Sequence, residues 1–471
     1  VPEVRQTFAT IGNMHEHGLA ISESTWGGRP ELEDSTGIVD YGSLIYITLQ
    51  RAKTAREAID VMTNLVKDYG YASSGESFSI ADANEVWIME MIGKGPGRKG
   101  AVWVARRVPD DCISGHANHS RIHQFPLNEP ETTLYSPDVI DFAREKGYFE
   151  GPDSLFSFSR AYAEYDAGAL RGCDARVWSF YNKFAPTEAA PYIDWIQRGS
   201  GPAMPLWMKP EKPLSVRQMQ WMMRDHFEDT PLDMTNDIGA GPFHVPYRWR
   251  PMNWTVDSVE YLHERAIATQ QTGFSFVAQL RDQVPAGMKG ILWFGVDDTN
   301  TCVYVPVFCC VDTPPHCYAH GNGDMLTLSW DAAFWVHNYV ANQAYNRYSQ
   351  MIPDIRRVQN ALEDSMATGV KQLEERVAKL PKSKQNAELQ AFTNHWAENS
   401  TRQFKQLGDY LLVKYLDGNI KAETTPGHFA RTPEGMCARP QFGGYDERYF
   451  RSIVNDAGER LRVIELEPAS K

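Results

Sequence analysis

The 471-residue sequence has no run approaching the roughly 20 apolar residues that cross a bilayer as a helix. It has no excess of basic charge either. The net charge is −13 and acidic residues are spread throughout, which argues against nucleic acid and anionic lipid as partners. The seven cysteines are Cys112, Cys173, Cys302, Cys309, Cys310, Cys317 and Cys437, with no CxxC and no paired zinc spacing. An odd number scattered over so long a chain is no disulfide framework. One bridge, from Cys302 or Cys310 to Cys317, stays open, but buried free thiols are the expectation. There is no HExxH, no internal repeat and no low-complexity tract. VPEVRQTF at the start carries no Met and neither a charged nor an apolar leader, so an upstream portion was removed or is not included. GKGPGRKG (93–100) lacks the GK[ST] ending of a phosphate loop and lies between two strands, so it reads as a hairpin turn.

What is present is core material: 42% hydrophobic and 12% aromatic residues. Residues 7–26 read as two short strands around HEHG. Residues 40–70 have apolar positions at helical spacing, as one helix or two joined near Lys53–Ala55, with Thr54 as cap and Gly70 as stop. Then the period changes. Residues 76–82, 85–93, 100–108 and 112–122 are strands rich in β-branched and aromatic residues, the first two joined by a tight turn at Ala83-Asn84. Residues 136–147 and 153–168 read as helices. A second strand group covers 272–282, 290–298 and 301–311, with a hairpin tip at Asp297–Thr301 expected to be solvated. From Ser329 the chain turns into long helices, with a break before Pro353 and an end at Gly418. The expected organisation is an α+β main domain at 1–328, a helical hairpin at 329–418 and a loop-rich tail at 419–471.

HANHSR (116–121) raises the question of chemistry. In a strand, His116 and His119 point to opposite faces, which disfavours a metal site. Cys112, Ser114, His116 and Asn118 share a face, and an Asn at a strand end offers its amide either to a turn, which spacing alone favours, or to an oxyanion. Trp26-Gly27-Gly28-Arg29 is either a turn or a place where a ligand approaches the backbone. Cys309-Cys310 sits in an apolar run that does not activate a thiol.

Several blocks together resemble a known family: GNMHEHGLAISESTWGGR (12–29), the stretch 52–97, GAVWVARRVPDDCISGHANHSRI (100–122) and ILWFGVDDTNTCVYVPVF (291–308). They are similar to the bacterial dipeptidase A family, cysteine dipeptidases akin to the secernins, within the N-terminal-nucleophile hydrolases. The resemblance implies a four-layer αββα sandwich and acyl transfer by an N-terminal cysteine, with neither metal nor organic cofactor. It implies that Asn118 and Thr25, the latter through its backbone N–H, form the oxyanion site, with Arg265 as a nearby arginine. For the dipeptide itself it suggests Glu23 or Glu76 as partner of the free ammonium, and Trp26 beside them. The family's MNE-x-G block corresponds to Met14-His15-Glu16-His17-Gly18, with His15 in place of the usual Asn. Val1 is not the family's nucleophile, and no cysteine precedes residue 112. Three readings follow: an upstream segment, a separate upstream fragment made by processing, or an inactive remnant. The rival functions are an N-acyl amide hydrolase of the penicillin or bile-acid acylase type and a non-catalytic peptide-binding scaffold. A homo-oligomer and export from a bacterial cell are further expectations.

Overall fold

The computed structural model describes all residues except 164, 311 and 466–471. The predicted helix over 153–168, the strand over 301–311 and the tail to 471 each include positions outside the described residues. The chain begins with β1 (Thr10–Ile11), β2 (Met14–His15) and β3 (Ala20–Thr25), followed by α1 (Tyr41–Leu49) and α2 (Ala55–Tyr69). The break between the two helices has local causes. Asp40 accepts from Ser43 N at 2.7 Å and starts α1, and Thr54 accepts from Glu57 N at 3.2 Å and starts α2. Gly70, at φ 79°, ends α2 in a conformation that a side chain would strain.

Strands β4 (Glu76–Ala81), β5 (Val86–Gly93) and β6 (Ala101–Arg107) continue the sheet, with β7 (Ile113–Ser114) apart from it and β8 (Thr133–Tyr135) at its far edge. The β4–β5 turn forms because Asp82 accepts from Asn84 N and Glu85 N. The order β1-β2-β3-β4-β5-β6-β8 is antiparallel throughout. Alternation sorts its side chains onto two faces. Phe78, Ile80, Trp87, Met89 and Met91 pack under α1 and α2, whereas Ile88, Ile92, Val102 and Val104 pack against residues 139–163.

That second cover contains α3 (Val139–Glu145) and α4 (Phe158–Tyr162). The helix predicted over 153–168 is thus much shorter: Pro152 and the 3-10 turn Asp153–Leu155 precede it, and Ser157 caps a start at Phe158. A π-helix, Gly168–Asp174, leads into α5 (Ala175–Phe184), then α6 (Pro186–Ala189), α7 (Ile193–Arg198), β9 (Trp207–Met208) and α8 (Val216–Met222). The hairpin β10 (Asn253–Val256) and β11 (Val259–Leu262) projects from the body.

A second antiparallel sheet joins β12 (Phe274–Leu280), β13 (Gly290–Val296) and β14 (Val305–Phe308). Its Leu292 and Val307 meet Met14 and Ala20 of the first sheet; Ile291 and Phe308 face the long helices. Those are α9 (Ala333–Ala344), α10 (Tyr348–Val377) and α11 (Lys382–Lys414). Pro353 lies in the opening turns of α10 and the break falls at 345–347.

Two expectations need correction. The strand predicted over 112–122 is regular only at Ile113–Ser114, because the chain then turns through Asn118 at φ 54°. The tip Asp297–Thr301 is buried rather than solvated: the Tyr247 and Tyr345 hydroxyls donate to Asp298, and Asn338 donates to Asp297. The loop-rich tail also carries one helix, α12 (Glu447–Ala457), which follows an Asp446 cap. All seven cysteines are free.

Candidate functional site

The segment after β7 is held by a buried carboxylate. Glu90, on β5 and fully buried, accepts from Ser120 Oγ at 2.5 Å, Arg121 N at 2.6 Å and Ile122 N at 3.2 Å. Backbone and hydroxyl donors replace the water this group gives up. Upstream, the Ser79 hydroxyl and His116 Nε2 share a 2.6 Å hydrogen bond, and burial pushes His116 down to about 4, so the imidazole is neutral near pH 7. Downstream, His119 Nδ1 meets Asp174 Oδ1 at 3.1 Å. His116 and His119 therefore serve different partners. No group of three or more metal-type side chains converges among the described residues.

Between these anchors stands Asn118. Its backbone N donates to Ser24 Oγ at 2.6 Å, and its Nδ2 donates to the Thr25 carbonyl at 2.6 Å. Its Oδ1 accepts from Arg176 Nη2 at 2.9 Å and from Arg265 Nη1 at 3.5 Å. Two guanidinium donors on one side fix which end of the amide is oxygen, so the N–H₂ end faces β3.

The end of β3 is open. Ile21 N donates to Asn13 O, on the side away from β4, and β2 pairs no further than Ala20. By strand alternation the N–H groups of Glu23 and Thr25 point the same way. Neither donates to an acceptor among the described residues. Thr25 thus brings an unengaged N–H and its carbonyl to the side where Asn118 stands.

On the other side of Thr25, its hydroxyl donates to Glu76 Oε2 at 2.9 Å. Glu76 is fully buried. Burial, then the neighbouring Glu23, pushes its carboxyl up to about 9, so Glu76 is protonated near pH 7. Glu23 is half-buried and lines a cleft of about 330 Å³ together with Ser24, His116, Arg176, Phe180 and Met219.

The structure brings Asn118, Thr25 and Arg265 together, with Glu76 and Glu23 beyond Thr25. Trp26 sits apart from the cleft: it is 2% exposed, meets Phe158 edge-on with centroids 6.3 Å apart, and occupies the space a Cβ at Gly75 would need. Sequence reasoning missed Arg176, which sits on α5 behind the π-helix. Nothing in its local pattern marks it; only the fold places it 2.9 Å from Asn118. Burial and then Arg265 push Arg176 down to about 10, still cationic at neutral pH. Cys173 lies beside Arg176, half-buried, and burial raises its thiol.

A family model described as peptidase family C69 matches residues 1–361. The chain is 25% identical over 306 residues to a probable dipeptidase of Latilactobacillus sakei, covering 65% of this chain and 57% of that protein. It is 26% identical over 367 residues to a probable dipeptidase A of Streptococcus pyogenes serotype M3 (strain SSI-1), covering 77% and 69%. It is 23% identical over 341 residues to dipeptidase A of Lactobacillus helveticus, covering 72% and 62%. The matches thus span between 57% and 69% of these relatives' lengths.

Proposed function

The chain belongs to peptidase family C69, and from that premise we propose that it is a dipeptidase acting through a cysteine nucleophile and an acyl-enzyme. The observation that carries this reading is the Asn118–Thr25 pair. An amide N–H₂ and an open backbone N–H stand within one hydrogen bond of each other, at the edge of a cleft. Such a pair of fixed donors suits the oxyanion of a tetrahedral intermediate, where one donor contributes about 2.7–4 kcal/mol. Arg265 and Arg176 hold the Asn118 amide in the orientation that presents its N–H₂.

Glu23 takes the substrate's ammonium at the cleft wall. Protonated Glu76 behind it brings no second charge, and Trp26, packed against Phe158 and Gly75, anchors the end of β3 without lining the cleft. The nucleophile of this reading is an N-terminal cysteine on a segment upstream of Val1, in the same polypeptide or a separate one. It attacks the scissile carbonyl while its own α-amino group, of pKa about 7.7–8.0, takes the thiol proton. Water then releases the acyl group. Four of the seven thiols are poorly suited to that role: burial raises Cys302, Cys309 and Cys317 to about 12 and Cys310 to about 11, the opposite of activation. The fold we propose is the αββα sandwich, with α1–α2, the seven-stranded sheet, the three-stranded sheet and the long helices stacked in that order.

The test is dipeptide hydrolysis by the natively purified protein, with its intact mass and N-terminal sequence determined. Activity abolished by a thiol alkylator, in a preparation containing an N-terminal cysteine, is the expected result. Activity indifferent to alkylation would overturn the mechanism, and no hydrolysis of any dipeptide would overturn the function.

A further inference from the structure

Two guanidinium groups approach one neutral amide oxygen in this site. Arg176 and Arg265 both donate to Asn118 Oδ1, and neither forms an ion pair among the described residues. Two more deeply buried arginines each have a carboxylate partner. Arg224 meets Glu363 at 2.5 Å and Arg248 meets Asp237 at 2.5 Å. Like charges held close in a partly desolvated place are costly unless an anion joins them. Arg176 is also under-used as a donor. Nε donates to Gly172 O and Nη2 to Ala117 O and Asn118 Oδ1, and the Cys173 thiol is a further side-chain partner, while Nη1 donates to no oxygen among the described residues. It lines the same cleft as Glu23.

The sequence of contacts across the site runs Glu76, Thr25, Asn118, Arg176. Glu23 beside the protonated Glu76, the oxyanion pair and a cationic wall thus follow one another. A dipeptide presents the complementary order: ammonium, scissile carbonyl, carboxylate. We propose that Arg176, backed by Arg265, receives the free α-carboxylate of the substrate and so restricts cleavage to peptides ending one residue beyond the scissile bond. A planar guanidinium suits a carboxylate through paired N–H donors. This inference rests on the peptidase reading for its substrate, but its binding test does not.

The probes are N-acetyl-alanine, which keeps a free carboxylate, and N-acetyl-alaninamide, its neutral counterpart of the same size. Calorimetric titration of the wild-type protein should show the acid binding roughly 10- to 100-fold tighter than the amide, the range of a hydrogen bond to a charged group. Arg176→Gln should erase that ratio and Arg176→Lys should restore part of it. Equal binding of acid and amide to the wild type, or binding of neither at millimolar concentration, would overturn the proposal even if the variants fail to fold. A ratio that survives in Arg176→Gln would overturn it too. Hydrolysis separates the two readings. Equal kcat/KM for a dipeptide and its C-terminal amide refutes the carboxylate receptor and leaves the peptidase standing. Acid-selective binding without hydrolysis of either leaves the receptor standing and removes the peptidase.

Discussion

Replacing Glu76 by Gln should make the protein more stable as the pH rises. Glu76 is fully buried on β4, accepts from the Thr25 hydroxyl and has Glu23 beside it, so its carboxyl loses its proton only near pH 9. In the unfolded chain it ionises near 4.5. Between those two values the folded state holds one more proton than the unfolded state. Stability then falls with rising pH, by about 1.4 kcal/mol per unit. Over the three units from pH 5 to pH 8 the loss reaches about 4 kcal/mol, a large share of an ordinary domain's net stability. Glutamine keeps an acceptor for Thr25 and a donor towards Glu23, but does not ionise. Urea unfolding of both proteins across this range is the assay. The two stabilities should nearly meet at pH 5 and separate steadily above it, with the variant on top. Stability curves that stay parallel within about 1 kcal/mol would refute the claim that Glu76 is buried as the neutral acid.

Asn118→Ala should lower kcat/KM by about 10²–10³, because one oxyanion donor is gone; steady-state kinetics on a dipeptide check this. Asn118→Asp should lose activity similarly yet raise the thermal midpoint, since a carboxylate replaces a neutral oxygen between Arg176 and Arg265. Cys173→Ser should retain peptidase activity, and its loss would make Cys173 the nucleophile. Glu363→Gln should cost about 3–5 kcal/mol in denaturant unfolding. Glu363 is the buried anion that receives Arg224 at 2.5 Å, Arg217 and the Tyr304 N–H, so the change leaves the buried Arg224 without its anion.

Periodicity made much of the fold legible. The β4–β5 turn followed from Ala83-Asn84 between alternating runs, and Thr54 was legible as the cap of a second helix, while one helix or two stayed open over 40–70. The shortened α4 and the irregular 115–122 segment were not legible. The course of 115–122 is set by long-range partners such as Glu90, which no local pattern announces, and the start of α4 by Phe158 N and Ser159 N donating to His123 O and Ile122 O. The same holds for Asp297 and Asp298: an Asp-Asp-Thr-Asn tip looks solvated until Tyr247 and Tyr345 cover it. In the site, Asn118, Thr25 and Arg265 entered through a family resemblance, whereas spacing alone favoured a turn at Asn118. Arg176 was invisible because its meaning lies in one contact made 58 residues away.

That kind of contact has a kinetic consequence. Asn118 meets residues 93, 58 and 147 positions distant in the chain. Each closure must be reached against loop entropy before it contributes anything. The helices α10 and α11 are built from neighbours in sequence and can form early. During refolding, recovery of helical signal should therefore run ahead of recovery of the site, leaving an interval in which the molecule has most of its secondary structure and none of its chemistry.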